Sequence, residues 1–111
     1  MPIVSEPELV AAVTRDRASR KRIALAAACF DVLRVADVRA LQSAAAQADR
    51  LVVAVLDDAA VRERLGEGRP VVAQDDRAEI VDAVRGVDYV IVCARADVDR
   101  LASLLSPDVR A

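Results

Sequence analysis

The sequence contains no histidine and no tryptophan, and only one tyrosine, one phenylalanine and one methionine in 111 residues. Without imidazole there is no histidine general base, no Ser-His or Cys-His nucleophile pair and no histidine metal ligand. Chemistry would have to come from carboxylates, arginines, Cys29, Cys93, the single lysine Lys21 or backbone groups. Aromatic residues make up 2% of a chain that is 55% hydrophobic, so its core has to be aliphatic. The near-replacement of lysine by arginine and the abundance of alanine read as coding bias.

Charge of one sign is also missing. The formal net charge is -2, with 31% charged residues and both signs interspersed, which excludes a broad nucleic-acid-binding field. The apolar runs 23–30, 51–56 and 87–94 are too short to span a bilayer. The stretch Met1-Pro2-Ile3-Val4-Ser5-Glu6 lacks the charged and apolar regions of a signal peptide. Cys29 and Cys93 both fall in apolar runs, which suits a reduced, buried pair and a cytoplasmic protein. The length fits one domain over 1–111.

Strands and helices alternate along the chain. Ser5 precedes Glu8 by three, a capping-box spacing, with Pro7 in the first turn, so 5–18 reads as a helix. The run 23–30 suits a strand buried on both faces. Val38, Leu41, Ala45 and Ala48 repeat at helical spacing over 36–48, and 51–56 is the clearest strand. Asp57 or Asp58 caps a helix over 58–65. Gly66 to Pro70 is a turn without phosphate-loop spacing. A helix from Gln74 or Asp75 to about Val84, a strand over 87–92 and a helix over 96–105 follow. This order predicts a Rossmann-like parallel sheet of three strands with flanking helices, and ligands beyond the strands' carboxyl ends.

The segment Cys29-Phe30-Asp31-Val32-Leu33-Arg34-Val35-Ala36-Asp37 resembles the nucleotidylyltransferases whose first strand ends in G-x-F-D-x-x-H-x-G-H. The nearest relatives look like the adenylyltransferase domain of ADP-heptose synthesis and the glycerol-3-phosphate cytidylyltransferases. Arg50 to Val55 with Asp58, the loop 66–70, Asp76 to Val81 and Val87 to Val90 continue the resemblance. It implies a shortened nucleotidylyltransferase fold, with transfer of a nucleotidyl group from ATP or CTP to a phosphorylated sugar or alcohol. That chemistry needs positive charge on phosphate, supplied in the family by two histidines at a helix amino terminus.

Here the histidine positions hold Arg34 and Asp37, and the glycine between them is Ala36. Ala28 stands for the family's glycine, Leu56 for its strand-end asparagine and Leu65 for a phosphate-facing lysine. Arg64 would replace that lysine only if its helix rotated. The degenerate nucleotide-site positions are therefore Phe30, Asp31, Arg34, Asp37, Arg69 and Arg77, with no catalytic residue and no metal ligand assigned. Asp31 also suits a structural role at the strand end, Asp37 a first-turn helix position, and Arg77 a solvated helix.

On this resemblance the chain covers roughly the first two-thirds of a typical domain. It stops before the family's later strands and Ser/Thr-rich triphosphate motif. The first strand would then be an apolar edge, so self-association or pairing with an active relative is expected through it. The implied function is an inactive assembly or regulatory module with no cofactor. The alternative is a nucleotide binder or residual transferase using Mg²⁺ with ATP or CTP on Arg34, Arg64, Arg69 and Arg77.

Overall fold

The computed structural model describes residues 3–111; Met1 and Pro2, part of the stretch read for a signal peptide, lie outside them. The capping box anticipated at Ser5 opens α1 (Glu6–Ala18). Ser5 Oγ accepts the Glu8 N–H at 3.4 Å, and Glu8 Oε1 accepts the Ser5 N–H at 3.0 Å. β1 (Ile23–Ala28), α2 (Val35–Ala46), β2 (Arg50–Leu56), α3 (Asp58–Leu65), α4 (Gln74–Asp82) and β3 (Tyr89–Cys93) follow. Asp57 caps α3, its Oδ1 accepting the Ala60 N–H at 2.9 Å. The helix expected over 96–105 divides into a short 3₁₀ turn (Arg95–Asp97) and α5 (Val98–Leu105), and the described chain closes with β4 (Val109–Arg110).

The sheet is parallel throughout, in the order β3-β2-β1-β4. Alternate side chains of each strand go to opposite faces. Ile23, Leu25, Val52, Ala54 and Ile91 pack under Leu9 and Val13 of α1 and Leu101 and Leu105 of α5. Ala24, Leu51, Val53, Val55 and Val90 pack under Leu41 of α2 and Ala78 and Val81 of α4. Both faces of β2 are therefore buried, which is why its sequence is a continuous apolar run.

Two expectations are corrected. Among the described residues the sheet has four strands, not three, and the first strand is not an open edge along its whole length. Val109 and Arg110 pair with Ala24 and Leu25. Ala111 adds an N–H bond of 2.9 Å to the Leu25 carbonyl, and Asp108 one of 2.8 Å to the Ile23 carbonyl. β4 escaped the sequence reading because it is two residues long and follows Ser106-Pro107, which marks only the end of α5.

An aspartate precedes β2, β3 and β4, and each carboxylate grips the neighbouring strand. Asp49 accepts from Arg22 N, Asp88 from Leu51 N and Asp108 from Ile23 N, each at 2.8 Å. These bonds fix the register at the amino end of the sheet, where a one-residue slip would exchange the two faces.

Gly86 closes the turn between α4 and β3 in a left-handed conformation, φ 101°. A Cβ there would stand 3.1 Å from Ala45 Cβ of α2. Replacing it (Gly86→Ala) is expected to lower stability by about 1–3 kcal/mol, measured as a lower urea midpoint at unchanged slope.

Candidate functional site

The strand expected to run to residue 30 stops at Ala28. Phe30 is left-handed, φ 53°, and turns the chain out of the sheet. A non-glycine residue in that region is uncommon, and such strain collects at functional sites. The turn delivers Asp31 against the segment 69–72. Its carboxylate, with the residue 4% exposed, accepts the N–H of Val71 at 2.8 Å and of Val72 at 3.0 Å. It also forms an ion pair with Arg69 Nε. Burial pushes its pKa up, but the Val72 and Val71 donors and Arg69 outweigh it, and the carboxyl lies below the ordinary 3.8.

Arg77 is fully buried, not solvated as expected. Nε donates to the Val72 carbonyl at 2.9 Å, and one terminal nitrogen to the carbonyls of Cys29 and Leu56 at 2.6 Å each. The other terminal nitrogen reaches Asp58 Oδ1 at 2.9 Å. One planar cation thus joins the ends of β1 and β2, the loop before α4 and the first residue of α3.

Between these ends and α2 lies a cleft of about 480 Å³, bordered by Phe30, Asp31, Arg34, Asp37, Arg64 and Arg69 among others. The fold therefore brings together five of the six singled-out positions, and Arg77 lies outside the cleft lining. Arg64 and Leu65 both border this cleft, so Arg64 reaches it without the helix rotation that seemed necessary. Asp37 sits in the first turn of α2 and its Oδ2 accepts the Arg34 N–H at 2.9 Å. The Arg34 side chain is 77% exposed, with Nε 3.9 Å from the same carboxylate.

Among the described residues no group of three or more Cys, Asp or Glu side chains is placed to hold a metal ion. Asp57 and Asp58 are engaged with the α3 amino terminus and with Arg77. Cys93 is buried, and burial followed by the Asp97 and Asp57 charges pushes its thiol up to about 11. Cys29 is only partly buried, a correction to the expected buried pair; both cysteines are free thiols.

Residues 25–110 match the cytidylyltransferase-like family. The chain belongs to that family. Among its relatives are the bifunctional protein HldE of Alkalilimnicola ehrlichii, 38% identical over 107 residues, and that of Ectopseudomonas mendocina, 37% identical over 107. Each alignment covers 96% of this chain but only 22% and 23% of the relative, so the chain spans less than a quarter of their length. The lipopolysaccharide core biosynthesis protein of Thermoplasma volcanium has the same fold, with TM-score 0.72, 23% identity, 81% of this chain covered and 72% of that one.

Within this cytidylyltransferase-like domain the β1 end is held by groups that the sequence reading left as candidate ligands. Sequence reasoning missed the burial of Arg77, although its place four residues before Val81, on the core side of α4, was the available signal. Two outcomes are expected. Arg77→Met leaves the Cys29 and Leu56 carbonyls without this donor and Asp58 without its cation. Losses of about 3–5 kcal/mol are typical for breaking a buried pair, and chemical denaturation would measure it. Asp31, with its lowered folded pKa, contributes stability that is complete above 3.8 and lost as pH falls through the folded value. Asp31→Asn should therefore be less stable at neutral pH and lose less stability on acidification, compared by urea titrations across the acid range.

Proposed function

We propose that this domain is a catalytically inactive nucleotidylyltransferase-like module, working in the cytoplasm in assembly or regulation with a second copy or an active relative. The observation that carries this reading is the Asp37 carboxylate at the amino terminus of α2. A helix amino terminus attracts anions, and here that position already holds a negative charge bonded to the Arg34 N–H at 2.9 Å. Triphosphate entering the cleft would meet this carboxylate at close range, a repulsion on the order of kcal/mol in a partly desolvated site. Arg69, which also borders the cleft, is paired with Asp31.

A second reading, nucleotide binding or residual transfer to a phosphorylated sugar or alcohol, is favoured by one feature. Arg64 borders the cleft beside Leu65 and forms no ion pair among the described residues. Mg²⁺ with ATP or CTP would then be substrate.

Thermal unfolding with Mg-ATP and Mg-CTP separates the two. A ligand at a hundredfold its dissociation constant stabilises by about 2.7 kcal/mol. No shift with either nucleotide and no pyrophosphate release on adding phosphorylated sugars or alcohols is the expected result. A reproducible shift with pyrophosphate release would establish the second reading instead.

A further inference from the structure

Between the carboxyl end of β1 and the start of α5 lies a second hollow, of about 210 Å³. Its floor is apolar, made by Ala27 and Ala28 of β1, Leu56 at the end of β2 and Val98 at the start of α5. The sequence makes this space. β1 ends in three alanines, so nothing larger than a methyl group rises from it here. Leu56 and Val98 pack together and complete the wall.

Two arginines border this hollow, Arg64 from the last turn of α3 and Arg95 from the 3₁₀ turn that leads into α5. Both are exposed, and neither forms an ion pair among the described residues. Asp99, also in the lining, is paired with Arg110 at 2.8 Å. The hollow shares Ala27, Ala28 and Arg64 with the larger cleft, where Asp31 pairs with Arg69 and Asp37 stands beside Arg34. The joined spaces are thus lined by four arginines and three aspartates, an excess of one positive charge. The two arginines without partners are the two beside the apolar floor.

We propose that this hollow binds a short aliphatic monocarboxylic acid, its carboxylate held by Arg64 and Arg95 and its hydrocarbon chain laid on Ala27, Ala28, Leu56 and Val98. A guanidinium presents paired N–H donors that match the two oxygens of a carboxylate. The hydrocarbon chain covers apolar surface that water would otherwise wet, which adds to the driving force. A volume of about 210 Å³ lies below the roughly 300 Å³ at which pockets for drug-sized ligands begin, so the acid is short. Anions of higher charge are disfavoured, because Asp31, Asp37 and Asp99 line the same joined space. This deepens the regulatory reading, on which its role but not its binding rests, by naming the chemical class of the effector.

NMR of the intact chain during titration with isovalerate at neutral pH tests it. Saturable shifts are expected at the Ala27, Ala28 and Val98 amides and at the Arg64 and Arg95 side chains. Acetate lacks the hydrocarbon chain, citrate carries more negative charge and isoamylamine carries the opposite charge. Each should bind about tenfold more weakly or less. Arg64→Gln and Arg95→Gln should each weaken isovalerate by a similar factor, with an unchanged circular dichroism spectrum. No saturable shift at these residues overturns the proposal. So does equal binding of any of the three other compounds, or variants that bind isovalerate like the intact chain. Failure of the regulatory reading shows separately, as a thermal shift with Mg-ATP or Mg-CTP together with pyrophosphate release.

Discussion

The guanidinium of Arg77 has no access to water, and the carboxyl end of the sheet is arranged around it. Strand ends in a parallel sheet leave carbonyls without ladder partners where chain segments leave for different helices. Here the carbonyls of Cys29 and Leu56 and the carboxylate of Asp58 converge on one cation, which also holds the Val72 carbonyl. Desolvating a guanidinium is costly, and this position tolerates it because its donors meet acceptors from four segments. Asp31 performs the complementary task a few residues away, collecting two N–H groups and one cation. Together the two residues place the loop before α4 against the end of β1.

The amino end of the sheet is organised by the opposite sign. Asp49 takes the N–H of Arg22 just before β1, Asp88 that of Leu51 in β2 and Asp108 that of Ile23 in β1. The aliphatic core supplies non-directional burial, and with alanine and valine so prevalent it leaves much freedom in how strands slide. Carboxylates at one end and a buried cation at the other remove that freedom. This division of labour explains how a chain with 2% aromatic residues reaches a defined register.

Much of the architecture was legible because it rests on local patterns. The apolar run of β2, the Ser5–Glu8 capping box and the Asp57 cap follow directly from spacing and residue type. β4 was not legible, since two residues carry no period and its pairing with Ala24 and Leu25 is decided by tertiary contact. The burial of Arg77 was signalled only by its helical spacing from Val81, and its role was not legible because its acceptors come from residues 29, 56, 58 and 72. Arg64 was misplaced for a related reason. Helical spacing puts Arg64 and Leu65 on different sides, but at the last turn of α3 both border the cleft. The resemblance supplied the family, while the use of each charged group became visible only in three dimensions.

The charged groups most deeply set at this site, Arg77 and Asp31, spend their hydrogen bonds on the fold. The most direct measurement is NMR observation of the Arg77 Nε–H during titration with Mg-ATP and Mg-CTP. A slowly exchanging resonance that neither nucleotide moves is the predicted result. Rapid exchange with water, or a shift on adding nucleotide, would show the guanidinium free to meet phosphate and would contradict the account.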